Sequence, residues 1–104
     1  MAWLLLIIAG LFEIGWAVGL KYTQGFTKPV PSLLTALSMI ISLVLLGAAL
    51  KSLPLGTAYA VWTGIGAVGT ALLGMWLMGD PANAARLACI AVIIGGILGL
   101  KFAS

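Results

Sequence analysis

One ionisable side chain, Glu13, lies within the first 20 residues, and every other residue there is aliphatic, aromatic or small. A bare carboxylate in so apolar a stretch is costly in lipid, and acids in such positions usually mark a path for a cation or a proton. We therefore interpret Glu13 as a binding site that holds either a proton or a cation, which is the simplest basis for antiport. The alternative is a glutamate that only locks helix packing.

Residues spaced three or four positions apart share the helical face of Glu13. Gly10 comes one turn before the carboxylate, and Trp16 comes one turn after it. A buried indole N–H needs an acceptor, and an aromatic ring attracts a positive ligand. We expect the indole N–H groups of Trp16 and Trp62 to donate to Glu13.

Two further apolar segments carry polar side chains at helical spacing. The second has a hydroxyl stripe whose members are Thr35, Ser38 and Ser42. The third places Tyr59 and Trp62 on one face. Serine in a membrane helix can bond its own backbone, and an aromatic near a helix start can belong to the interfacial belt. We nevertheless predict a central site that draws on all three segments.

The composition excludes a soluble domain. Of the 104 residues, 63% are hydrophobic and 7% charged, whereas a soluble domain is about 25% charged. Each membrane span takes about 20 residues, so four spans nearly exhaust the chain. We predict that the protein is not an enzyme.

Four apolar segments alternate with short breaks rich in Gly, Pro and Lys. They cover about residues 2–20, 32–50, 57–78 and 84–102, and they lack the alternation of barrel strands. The predicted fold is all-α and integral to the membrane, with four transmembrane helices in a single domain over residues 1–104.

The basic residues are balanced between the two ends of these helices. Two of them, Lys51 and Lys101, lie at one end. The other three, Lys21, Lys28 and Arg86, lie at the opposite end. The positive-inside rule then gives almost no preferred orientation. We predict insertion in both orientations, and hence an antiparallel homodimer. The alternative is a weak bias that such counting misses.

Glycines mark two surfaces of the later helices. Gly95 and Gly99 have the spacing that lets two membrane helices approach closely, which favours dimer packing over packing within one subunit. Gly64 and Gly66 permit either close packing or a hinge in the third helix. Lys101, at the end of the fourth, has the position of a residue that snorkels to the interface.

Several other classes of site are disfavoured. Cys89 is the only cysteine and the chain has no histidine, so we expect no metal and no cofactor. The five basic residues form no patch, so nucleic acid is not an expected partner. Glu13 interrupts the first apolar run, which argues against a signal peptide.

Three stretches carry a family resemblance over nearly the whole chain: "GLFEIGWAVGLKYTQGFTKPVPS", "LPLGTAYAVWTGIGAVG" and "GGILGLK". They resemble the small multidrug resistance transporters. Trp16 in the pattern E-x-x-W-A-x-x-L-K, together with Lys101, is similar to the guanidinium exporter subtype. The chain departs from the usual pattern at Trp76, Met78 and Asp80, which puts lipid contacts and loop details in doubt.

The resemblance implies an antiparallel dimer in the bacterial inner membrane, in which both copies of Glu13 share one site. It implies exchange of protons for guanidinium, with the proton gradient in place of any cofactor. It also implies a bend of the third helix near Gly64 and Gly66 and dimer contacts on the fourth. The implied lining residues of the site are Gly10, Trp16, Ser42, Tyr59, Trp62 and Lys101.

Other functions remain open at this point. A multidrug exporter of quaternary ammonium ions would use the same fold, although Trp16 and Lys101 argue against it. A small structural or regulatory subunit would retain Glu13 as a packing lock. A cation channel would conduct far faster than a transporter and independently of a proton gradient.

Overall fold

Four long apolar helices account for most of the chain. The computed structural model describes residues 1–103, and its helices are α1 (Ala2–Thr23), α2 (Pro29–Ala49), α3 (Leu55–Leu77) and α4 (Ala84–Ala103). Each is long and apolar enough to cross a membrane. The predicted all-α class with four membrane-spanning helices is confirmed. Ser104, the last residue of the predicted domain, lies outside the described residues.

The first helix extends beyond Leu20, where the sequence predicted its end. Thr23 is 1% exposed, and its hydroxyl donates to the Leu20 carbonyl at 2.8 Å and accepts the Phe26 N–H at 3.2 Å. Gln24 then adopts left-handed geometry at φ 49°, which ends the helix. The polar residues after Leu20 therefore continue α1 because a threonine hydroxyl satisfies backbone groups at its end.

Prolines start two of the helices instead of only separating them. The structure begins α2 at Pro29 rather than Ser32, because a first-turn residue has no intrahelical partner for its N–H and proline has none to lose. It begins α3 at Leu55 rather than Thr57, directly after Pro54. Both helices therefore start two or three residues earlier than predicted, because each proline lies at a helix start as well as in a break.

The helix α1 is the centre of the bundle. It packs against α2 on one side and against α3 on the other, whereas within residues 1–103 the backbone of α4 approaches only that of α3. Every residue of α4 except Ile90 is at least partly exposed. Most of the surface of α4 is therefore available to lipid or to another chain.

The helices α1 and α3 run in the same direction along a tightly packed seam. Gly10 lies against Ile65, and one turn later the Ile14 side chain occupies the space beside Gly69 where a side chain would otherwise lie. Residue numbers rise together along both helices, which shows that they are parallel. The two backbones come close because Gly10 on α1 and Gly69 on α3 each leave room for an isoleucine side chain of the other helix.

The buried apolar core occupies the end of the bundle where α1 and α3 begin and α2 ends. Its members are Leu6, Ala9, Leu46, Ala49, Ala58, Val61 and Trp62. This core fixes α1, α2 and α3 relative to one another. Glu13 lies one turn beyond Ala9 on α1, at the edge of the core.

Candidate functional site

The Glu13 carboxyl group lies against the backbone of Gly66 on α3. Its Oε1 atom and side-chain carbons occupy the volume that a Cβ atom on residue 66 would need. Glycine at that position therefore makes the room that the carboxyl group fills. The sequence allows Gly66 either close packing or a hinge, and the structure makes it one wall of the candidate site.

Within residues 1–103, the Oε1 atom of Glu13 is buried and has no hydrogen-bond partner. The Nε1 atom of Trp16, one turn further along α1, is likewise buried and unpaired. An unpaired buried polar group is costly, and buried groups that remain unpaired call for an explanation such as a functional role. One acceptor and one donor on the same helical face are thus buried and unpaired.

Ser42 connects the second and third helices to the first. Its hydroxyl, 0% exposed, donates to the Ala9 carbonyl at 2.7 Å and accepts the Trp62 indole N–H at 2.9 Å. In an α-helix the carbonyl of residue 9 also accepts the N–H of residue 13. The network therefore fixes the turn of α1 that carries Glu13.

The prediction that Glu13 accepts the indole N–H groups of Trp16 and Trp62 is wrong. Within residues 1–103 the Trp16 Nε1 atom has no hydrogen-bond partner. Trp62 donates to Ser42 instead, which leaves Glu13 without a donor from α3. The Ala9 carbonyl also belongs to the network, and it was not predicted because a main-chain acceptor has no signature in residue type. It did place Ser42, Trp62 and Glu13 on faces that meet.

Tyr59 adds an aromatic contact beside the network. Its ring centroid is 5.5 Å from that of Trp62, with the rings inclined at 53°, a favourable tilted arrangement. Tyr59 is 55% exposed whereas Trp62 is 7% exposed. Tyr59 therefore lies at the outer edge of the predicted lining, and its role there stays a prediction.

Lys101 does not lie beside Glu13 in the described chain. Its Nζ atom is 5.9 Å from the centroid of a Trp3 ring, within the range of a cation–π contact. Trp3 precedes Glu13 by ten positions on α1, or about 15 Å along the helix axis. The placement of Lys101 in the site lining stays a prediction.

The other glycines singled out in the sequence are Gly64 on α3 and Gly95 and Gly99 on α4. A Cβ atom on Gly64 would lie 2.9 Å from Cδ1 of Ile97, so Gly64 lets α3 pack on α4. Gly95 and Gly99 have open space around them and lie on the exposed part of α4. The helix α3 runs through Gly64 and Gly66 without interruption, and the predicted hinge stays a prediction.

The chain matches the model of a known protein family. The family described as Small Multidrug Resistance protein matches residues 1–93, which include all four residues of the Glu13, Ser42, Trp62 and Gly66 arrangement. The chain belongs to the small multidrug resistance family. The resemblance noted in the sequence is confirmed.

Individual members of the family are similar over their full length. A protein named "Guanidinium exporter" from Escherichia coli O6:H1 is 60% identical over 104 residues, which are 100% of this chain and 99% of that protein. The protein of that name from Escherichia coli strain K12 is 59% identical with the same coverage. The one from Yersinia pseudotuberculosis is 58% identical over 100% of both chains. These names describe transport rather than catalysis.

Family membership and the hydropathy of the four helices together place the protein in a membrane. All four helices have the length and composition of membrane spans, and the similar proteins are bacterial transporters. The chain is a multi-pass protein of the bacterial inner membrane.

The Ser42 network leads to a stability prediction. We expect Ser42→Ala and Trp62→Phe to destabilise the protein, and their effects to be coupled by about 0.6–2 kcal/mol, the range of interhelical hydrogen bonds in membranes. The measurement is a double-mutant cycle on unfolding in mild detergent. Ser52→Ala, in the exposed loop after α2, is the matched control and should be neutral. Additive effects of the two core variants would contradict the bond.

Proposed function

We propose that this protein is a proton-coupled antiporter that exports guanidinium and small substituted guanidines. The observation that carries the proposal is the unpaired Oε1 atom of Glu13, buried against Gly66 in a membrane-spanning helix. The names of relatives about 60% identical to the chain support the choice of cargo.

The chemistry of guanidinium suits this carboxyl group. Guanidinium is planar and permanently charged, and its N–H groups donate in pairs to a carboxylate. The Glu13 carboxyl group has an open acceptor, and the fixed arrangement of Ser42 and Trp62 holds the helical turn in place. A planar cation would also contact the faces of nearby aromatic rings.

Exchange follows from the cost of a bare carboxylate in lipid. Glu13 must be neutralised by a proton or by a cation before the site can cross the membrane interior. One carboxyl group cannot bind both ligands in the same way at once. Release of the cation on one side therefore requires uptake of a proton there, which couples the two fluxes.

An antiparallel homodimer is part of the proposal. Balanced basic residues favour insertion in both orientations, and α4 presents an exposed apolar face on which Gly95 and Gly99 have open space. Small residues of this kind let two membrane helices pack closely. Two subunits would then bring two copies of Glu13 to one shared site.

Replacement of the carboxyl group tests the transport reaction. We expect guanidinium to evoke transport currents from wild-type proteoliposomes and Glu13→Gln to abolish them, because an amide neither releases a proton nor carries a charge. Capacitive currents on a solid-supported membrane are the measurement, with tetrapropylammonium as the bulky comparison ion.

Three results would contradict this proposal. Current with tetrapropylammonium but not with guanidinium would identify a multidrug exporter. Current that persists in Glu13→Gln would make the glutamate structural. Flux far faster than transporter turnover, and independent of a proton gradient, would identify a channel.

A mixing experiment tests the shared site. We expect the current to fall as the square of the wild-type fraction when wild-type and Glu13→Gln subunits are mixed before reconstitution, because one active dimer needs two carboxyl groups. The measurement is initial current against the mixing ratio at constant total protein, after subunit exchange is verified with two affinity tags. A linear dependence would show that each subunit works alone.

The wall formed by Gly66 gives a geometric test. Gly66→Ala should lower guanidinium affinity about tenfold or more, because its methyl group needs the space of the Glu13 carboxyl group and misplacement of a binding group by 1 Å is costly. Calorimetric binding is the measurement. Gly56→Ala, on the same helix with open space around it, is the matched control. Equal affinities for both variants would remove Gly66 from the site.

A further inference from the structure

A cavity of about 210 Å³ lies between α1 and α3, outside the site described above. Ala17 and Lys21 line it from α1, and Thr70 and Gly74 line it from α3. Asp80, in the segment that connects α3 to α4, lines it beside Gly74, at the outer end of the cavity that is farther from Glu13. The cavity therefore contains a hydroxyl group and one charge of each sign.

This cavity continues the seam on which Glu13 lies. Residues 17 and 21 of α1 follow Glu13 at successive four-residue steps, and residues 70 and 74 of α3 follow Gly66 in the same way. Four residues advance a helix by about 6 Å. The cavity thus begins about one turn from the carboxyl group and leads toward the ends of both helices.

The outer end of the cavity carries more negative than positive character. The Asp80 N–H donates to the Gly74 carbonyl at 3.1 Å, and its carboxylate fills the space beside Gly74 where a side chain would lie. The carbonyl groups at the C-terminus of a helix carry about half a negative charge. The negative charge of Asp80 therefore adds to the partial negative charge at the end of α3. The single ammonium of Lys21 offsets this sum only in part.

The inner end of the cavity has one polar group, the hydroxyl of Thr70. The Thr70 Oγ1 atom is buried and, within the described residues, has no hydrogen-bond partner. A hydroxyl oxygen can accept from an N–H group. A small cation with several N–H donors can therefore bind the carboxylate of Asp80 and the hydroxyl of Thr70 in turn.

We propose that this cavity is a second, transient binding site for guanidinium-type cations, between Glu13 and the membrane surface. The inference rests on the proposed function of the protein, to which it adds an entry and exit site. Asp80 attracts the cation, and Thr70 binds it on the way to the carboxyl group of Glu13. Lys21 limits its residence, because a second positive charge on the opposite wall prevents tight binding.

A closing ion pair between Lys21 and Asp80 is the competing explanation of the same residues. The two explanations differ in whether removal of the Lys21 ammonium changes the association rate in the same direction as removal of the Asp80 carboxylate. For a transient cation site, removal of the carboxylate slows association, and removal of the ammonium accelerates it. For an ion pair that closes the cavity, both removals break the same contact and act in the same direction.

The association rate constant of guanidinium is the quantity to measure. It is obtained from pre-steady-state transport currents as a function of guanidinium concentration. We expect Asp80→Asn to lower it about fivefold at low salt, the effect of one charge at contact distance in water. We expect Lys21→Gln to raise it and Thr70→Val to lower it, with Thr70→Ser close to wild type. The equilibrium affinity should change less than the rate, since Glu13 is untouched.

Two controls separate the cavity from general effects of charge. Ser52→Lys adds the same unit of charge as Asp80→Asn, in the exposed loop between α2 and α3, and should leave the rate unchanged. The difference between wild type and Asp80→Asn should shrink at 1 M salt, where the screening length falls to about 3 Å.

The outcomes that overturn the proposal are distinct from one another. Equal rates for wild type and Asp80→Asn would remove the cavity from the path while leaving export by Glu13 in place. Changes of the same sign for Asp80→Asn and Lys21→Gln would identify an ion pair. A wild-type protein without guanidinium current would overturn the proposed function and this inference together.

Discussion

The cost of an unpaired carboxyl group in an apolar helix is the constraint on which the arrangement depends. Glu13 has no donor from a neighbouring helix, yet it lies at the edge of the apolar core. The protein does not remove this cost by packing. Instead it fixes the surrounding backbone through Ser42 and makes room with Gly66. The carboxyl group is held in place, but its Oε1 atom has no partner among residues 1–103.

The fold was largely predictable from sequence because it depends on hydropathy. Continuous apolar runs of about 20 residues predict membrane helices without any knowledge of tertiary contacts. The helix ends were less predictable. A threonine hydroxyl lengthens α1 and Pro29 starts α2, and both are local polar interactions that average hydropathy does not register.

The helix faces that meet at the candidate site were predictable, but the hydrogen-bond pairings between them were not. Helical spacing shows which residues share a face, and it placed Ser42, Trp62 and Glu13 on faces that meet. It does not show how far one helix is shifted along another. That offset makes Ser42 rather than Glu13 the acceptor for Trp62, brings Gly66 to the carboxyl group and leaves Lys101 beside Trp3.

The peripheral position of α4 has a consequence for how the protein is made. Glu13, Ser42, Trp62 and Gly66 all belong to α1, α2 and α3, and α3 ends at Leu77. A chain emerging from the ribosome with its N-terminus first thus contains every one of these four residues before the last helix is synthesised. The final helix adds Ile97 and Leu100 to the edge of the core, and most of its remaining surface is exposed.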